Sequence, residues 1–483
     1  MVTRRELMIG AAAFSGATAA GVFAVGRTRV EAREVIAEPI AHDVKSLTLD
    51  LAERPTTLAC FDGKTLPLWT FDPGPTFPIV RVKLGQRLDT VFKNHLPRDG
   101  EVASIHWHGL RIPNTQDGVP YLTQQPIPPG GEGHYSFVPP DTGSFFFHTH
   151  CNSAEHFGRG LIGALIVEGD EITPPDAEYV LLMKDWRIGP DDKFLPFSTD
   201  EGAARGGTPG TVRSVNGATS PVIPVPSSAN VRIRFYNLDP MRISEIGFED
   251  AEAAIIAIDG NGLPPLTFES WRIGTAMRVD ILLRTAAPGG SIKLYDYFAK
   301  VPFVLAEFKS EGPAKRTDAF EPTPLKVMSF AKFDEANAQI IPFEFSATPT
   351  GQAIADIGAG PGIELGPLCL AKRTFWAINK RAWPQDHREL GPPLAVLKSG
   401  QSYIFELDNT TPRSHPIHIH GHTFEVLNSS KRKLPRFRCD TVLLVPNERI
   451  QVGLVAGLPG KWMFHCHILE HQEAGMMGYI EVV

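Results

Sequence analysis

The chain carries the same sequence pattern at two widely separated places. Val82-Lys83-Leu84-Gly85-Gln86 opens an alternating run to Asn94, followed by Ile105-His106-Trp107-His108-Gly109. Leu397-Lys398-Ser399-Gly400-Gln401 opens a run to Asn409, followed by Ile417-His418-Ile419-His420-Gly421. A second match comes later in each copy. Gly143-Ser144-Phe145-Phe146-Phe147-His148-Thr149-His150 aligns with Gly460-Lys461-Trp462-Met463-Phe464-His465-Cys466-His467. Between them lies a fainter copy: Val231 to Asn237 is the strand ending in Asn, and Gly290 to Tyr297 the glycine-led one. Tyr295 and Tyr297 stand there in place of histidines. Repeats of this size are whole domains, not solenoid units.

Within each copy the runs are short, rich in β-branched and aromatic residues, and broken by Gly and Pro. The chain has 44 Gly and 42 Pro in 483 residues, which disfavours long helices. The pattern predicts an all-β protein of antiparallel Greek-key sandwiches. Boundaries fall near 43–172, 173–312 and 340–483, with a linker over 313–339 that holds Pro322 and Pro324. A net charge of -7 gives no reason to expect nucleic-acid binding. Thr3-Arg4-Arg5 precedes a weakly apolar, Gly-rich stretch from Ile9 to Gly26. That resembles a twin-arginine signal peptide over 1–32 more than a membrane anchor. It predicts export of the folded protein to the periplasm by the twin-arginine machinery, with no stable membrane span after processing.

The histidine clusters carry the chemistry. Ten of the sixteen histidines lie in four of them, the last being His465-Cys466-His467 with His471 and Met476 just beyond. Residues i and i+2 of a strand share a face, about 6.5–7 Å apart. Each His-x-His therefore presents two imidazoles together, and pairs from two domains can enclose a cluster. In the last triplet Cys466 points opposite to its flanking histidines, so one strand serves two metal centres. His415, three residues before His418, points away from that pair. His415, Cys466, His471 and Met476 then form one centre: two imidazoles, a thiolate and a weak thioether, the ligands of a blue copper. Eight histidines remain, in four pairs. They suit copper among imidazole-binding metals, whereas a structural zinc needs only four ligands.

The motifs, their order and the ligand-free middle copy resemble the laccase-like, three-domain bacterial multicopper oxidases, from about residue 45 to the C-terminus. The resemblance implies three cupredoxin-like domains and four copper ions. It assigns the type 1 copper to His415, Cys466, His471 and Met476, and the type 2 copper to His106 and His418. The type 3 pair takes His108, His148, His150, His420, His465 and His467. It implies one-electron oxidations of a reductant at type 1, coupled to four-electron reduction of dioxygen to water. The resemblance also marks Asp117 as an acid feeding protons to the cluster, where the bland alternative is a turn aspartate before Gly118. Asp440 resembles an acid that hydrogen-bonds a type 1 histidine, His415, and that steers a cation or takes a phenol proton. The chain departs from many bacterial members at Gln472, where they carry Glu. Proton delivery must then use Asp117, Glu473 or water.

His422 and His156 are expected to be structural or to support ligands, and His42, His95, His134 and His387 to be surface or core residues. Cys60, Cys151, Cys369 and Cys439 permit zero, one or two disulfides. Three functions remain in competition: oxidation of phenols and aromatic amines, oxidation of Mn(II), Fe(II) or Cu(I), and a non-enzymatic scaffold. The nine methionines are scattered, which weakens the Cu(I) option. A scaffold would be expected to lose ligands, and none is lost.

Overall fold

Alternation decides the sheets. In strand Gln86–His95, Leu88, Thr90, Phe92 and Asn94 face inward and the residues between them outward. The computed structural model describes residues 43–71, 77–349, 374–383 and 390–483, all within the compact unit Ile36–Val483. Residues 1–32, His42, Cys369 and His387 lie outside the described residues.

Among the described residues, six sheets pair into three successive sandwiches. The chain is all-β, with three cupredoxin-like sandwiches. The pairing is mixed, however, and not purely antiparallel. In one sheet of each sandwich the first strand runs parallel to the strand ending in Asn. The pairs are Asp43–Thr57 with Gln86–His95, Ala177–Trp186 with Asn230–Asn237, and Gln339–Ala347 with Ser402–Asn409. The opposite sheet of each also holds one parallel pair, such as Ile79–Lys83 with Ile162–Glu168. Crossing between sheets makes such pairs, because the returning strand arrives in the same direction.

The Asn closing these strands is fully buried in all three copies. Its carboxamide ties down the following loop. Asn409 Nδ2 donates to the carbonyls of Arg413 (2.7 Å) and Val445 (2.9 Å), and Oδ1 accepts from Thr411 N (3.0 Å). Asn94 and Asn237 make the matching bonds to Glu101 and Arg242. In the third sandwich this corner fixes the approach to His415. Among the described residues, no helix is long and apolar enough to cross a membrane.

Candidate metal centres

Two neighbouring strands of the third sandwich build both centres. His415–Ile419 pairs with Gly460–Cys466 so that Ile417 faces Cys466 and His418 faces His465. One side of this pair carries His415 and Cys466. Their atoms converge with His471 from the short helix Leu469–Glu473. His415 Nδ1 and His471 Nδ1 are 3.1 Å apart, and Cys466 Sγ lies 3.6 Å from each. Met476, fully buried, is laced to the group through its backbone: its N–H donates to His471 O and its carbonyl accepts from Cys466 N–H.

The other side joins the first sandwich. His106 stacks on His420 with ring centres 3.8 Å apart, and His108 on His418 at 3.7 Å. His148, His150, His465 and His467 close the cluster, with His420 Nε2 3.1 Å from His465 Nε2. All eight are buried. His106 Nε2, His108 Nδ1, His148 Nε2 and His418 Nε2 are buried without a hydrogen-bond partner. So many orphaned imidazole nitrogens would be costly in a dry core. Pointed at one volume, they form a donor set of the kind a metal ion takes.

The multicopper oxidase family profile matches residues 55–172 and 370–483, the two regions that hold these histidines. The crystal structure of a multi-copper oxidase from Pseudomonas parafulva is 35% identical, with a TM-score of 0.76 over 90% of this chain and 99% of that one. The Pseudomonas thermotolerans structure is 32% identical, with a TM-score of 0.79 over 91% and 100%. The chain belongs to the multicopper oxidase family. Multicopper oxidase MmcO of Mycobacterium tuberculosis is 28% identical over 98% of this chain and 94% of its own. This multicopper oxidase is a copper-dependent oxidoreductase of the laccase-like kind.

Burial sets the protonation of the side chains around Cys466 in this multicopper oxidase. It pushes His415 well below the ordinary imidazole range and His471 down to about 3. It drives the Cys466 thiol upward. Each ring is held by its second nitrogen, as metal-bound histidines usually are. His415 Nε2 meets Thr411 Oγ1 at 2.8 Å, and His471 Nε2 donates to the carbonyl of Arg205 at 3.0 Å. Asp117 sits beneath the cluster. Its carboxylate lies 3.0 Å from His420 Nδ1 and its carbonyl 2.9 Å from His106 Nδ1. Asp117 also stands in a turn, as the cap of the 3-10 turn Asn114–Gln116. A Cβ on Gly118 would collide with the Ile105 carbonyl, so the turn needs glycine there.

Asp440 corrects the expectation from sequence. It does not reach His415, whose second nitrogen belongs to Thr411. Its carboxylate accepts instead from His108 Nε2 (3.0 Å) in the other centre. It is 1% exposed and clamped by Arg278, so it cannot serve as a port for cations or phenols. The physical reason is the reach of strand Thr441–Leu444. It pairs His418 with Thr441, which sets Asp440 beside the histidine cluster.

Other supporting residues gave no signal in the sequence. Thr411, Arg205, Arg278 and Asp259 lie far from any histidine motif or in unremarkable loops. His156 is buried between Thr149 Oγ1 and Glu101 Oε1, and so supports the loop between His148 and His150. His422 is structural: its Nε2 accepts from Gly457 N. Cys60, Cys439 and Cys466 are free thiols.

Proposed function

We propose that this protein couples one-electron oxidation of phenolic or aromatic reductants at a type 1 copper to four-electron reduction of dioxygen to water. His415, Cys466, His471 and Met476 would hold the type 1 ion. His106 and His418 would hold type 2, and His108, His148, His150, His420, His465 and His467 the type 3 pair. Four copper ions in all would supply reversible one-electron chemistry and a site for dioxygen. The observation that carries this reading is the orphaned set of imidazole nitrogens facing one volume, one residue away from a two-nitrogen, one-sulfur site.

The chain's own residues do the rest. Thr411 and the Arg205 carbonyl orient the type 1 imidazoles. Asp117 orients His106 and His420 and is the acid placed to pass protons to the cluster. Gln472 is buried and cannot act as an acid, and Glu473 is held up at about 7, chiefly by burial. We place the domains at 43–172, 173–312 and 340–483. The paired arginines support a periplasmic protein exported by the twin-arginine route.

Arg413 acts on His471 electrostatically, and positive charge there opposes a metal cation. Oxidation of Mn(II), Fe(II) or Cu(I) remains the second reading, favoured by one observation. His471 is fully buried and its Nε2 is already bonded, so a phenol has no direct contact with that nitrogen. Oxygen uptake decides. The copper-loaded protein is offered a methoxyphenol, Mn(II), Fe(II) and Cu(I) in turn, with Cys466→Ser as the blank. Uptake with the phenol supports the proposal. Uptake with a metal ion alone replaces it by the second reading, and no uptake from a fully loaded sample refutes both.

A further inference from the structure

The middle sandwich supplies no histidine to either centre, yet it reaches into both, through the Arg205 carbonyl at His471 and through Arg278 at the histidine cluster. We propose that its Arg278 is a positioning residue of the histidine cluster, which through Asp440 holds the His108 ring with Nδ1 turned toward the metal site.

His108 is oriented unlike its neighbours. His106, His148, His418, His420 and His465 are each held through Nδ1, by Asp117 O, Thr149 O, Asp440 O, the Asp117 carboxylate and Cys466 O. His108 is held through Nε2, by Asp440 Oδ1 at 3.0 Å and Thr441 Oγ1 at 3.2 Å, and its Nδ1 is the orphan. A half-turn of the ring would put Cε1 where Nε2 stands and Cδ2 where Nδ1 stands. An acceptor fixed on the Nε2 side prevents that turn, because the turned ring would leave a buried carboxylate without its donor.

That acceptor is itself fixed from the middle sandwich. Arg278 grips Asp440 as a fork, Nη1 to Oδ1 at 3.0 Å and Nη2 to Oδ2 at 2.6 Å. A planar guanidinium sets the angle of a carboxylate in a way that an ammonium cannot. The guanidinium is pinned in turn by the carbonyls of Ser144 and Ala276. Asp259, on the same sandwich, accepts from the backbone N–H of Arg278, Asp440 and Thr441. This also fixes the Asp440 carbonyl that holds His418. Arg278 and Asp259 together thus hold two stacked rings, His108 and His418, contributed by two different sandwiches. Gly109 makes the approach possible. A Cβ there would collide with Asp440 Oδ2 and lie 2.7 Å from Arg278 Nη2, which gives the glycine of His106-Trp107-His108-Gly109 a purpose.

The inference rests on the ligand assignment proposed above. Its test compares Arg278→Met and Arg278→Lys with the parent protein. Copper is withdrawn by a competing chelator while blue absorbance reports the Cys466 site. In copper-free protein, 15N-histidine spectra read the His108 tautomer, assigned by its loss in His108→Gln. The Met variant is expected to hold its non-blue copper about 10- to 100-fold more weakly with the blue site unchanged, and to lose the single Nε2–H tautomer. Lys, which keeps the charge but not the fork, should restore part of both. Parent-like affinity and tautomer in the Met variant would overturn the proposal. If that variant does not fold, the Lys variant decides on the same two readouts: intermediate values support the proposal and parent values overturn it. A parent protein that binds no non-blue copper would instead refute the ligand assignment.

Discussion

His465 and Cys466 are neighbours in the chain and serve different centres. Cys466 Sγ lies 3.6 Å from the Nδ1 atoms of His415 and His471, while His465 Nε2 lies 3.1 Å from His420 Nε2. The two-residue period of a strand produces this division without any special geometry. His465 Nδ1 also bonds to the Cys466 carbonyl at 3.0 Å, which gives a second, shorter connection between the two sides. Electrons taken in beside Cys466 therefore have a route of a few bonds to the cluster. Neither centre can be moved without moving the other.

Copper binding at the Cys466 site should release about one proton per ion at pH 7. The thiol is buried and pushed upward, so it is neutral before metal arrives, while His415 and His471 are already unprotonated. Only the thiol has a proton to lose when a metal thiolate forms. Affinity should then rise about tenfold per pH unit below the thiol's pKa. Copper titration in weakly buffered solution with a pH indicator measures this. Cys466→Ser should lose both the blue colour and that proton. Release of none by the parent would mean that the thiolate is already formed.

Asp117→Asn should cut dioxygen turnover by about 10- to 100-fold, because the variant keeps the turn and the contact to His420 but loses the acid. With Gln472 in place of an acid, the routes left beside Asp117 are Glu473, the next residue of the same helix, and water. Adding Gln472→Glu to the Asp117→Asn variant should recover part of the loss. Steady-state oxygen consumption at saturating reductant separates the cases. Near-parent turnover in the single variant would assign proton delivery to Glu473 or to water.

How much of this was legible beforehand follows from chain periodicity. The faces of His415, His418, Cys466 and His465 could be read by counting, since strand parity is local. The partner of Asp440 could not, because its distance to His108 depends on how three sandwiches dock. The same holds for Arg278 and Asp259, which are an ordinary strand residue and a turn residue until the first and third sandwiches close over them. Mixed strand pairing was missed for a related reason: alternation reports which face is buried and says nothing of direction. Gly109 did carry a usable sign, as a glycine directly after a ligand pair marks close approach.

The copper-free protein should lose stability on mild acidification. His108, His148, His415, His418, His420, His422, His465, His467 and His471 all have pKa values depressed by burial in the folded chain. Below about pH 6.5 the unfolded chain binds protons at these positions and the folded chain does not, so stability present at pH 7.5 is lost as pH falls. Glu473, raised to about 7, Asp185, raised to about 6, and Asp259 and Glu470, both raised by burial, act in the opposite sense, but they are four groups against nine. Melting curves between pH 7.5 and 5 should show a steep fall for copper-free protein and a shallow one for the loaded form. A flat copper-free profile would show that the cluster opens to water.

Glu470 should govern access to the type 1 site. Its buried carboxylate accepts from Thr199 N (2.9 Å), Thr208 Oγ1 (2.7 Å) and Thr208 N. These bonds dock the middle-sandwich segment 199–208, whose Arg205 carbonyl covers His471 Nε2. Glu470→Ala strands those donors, at about 1–3 kcal/mol each for any that stay buried, which is enough to favour release of the segment. The melting temperature should fall by several degrees. A bulky phenol should then gain in kcat/KM, with the lower KM as the main change, while a compact reductant gains little. Equal effects on both reductants would mean that segment 199–208 does not limit entry and that electrons pass through the Arg205 peptide regardless of reductant size.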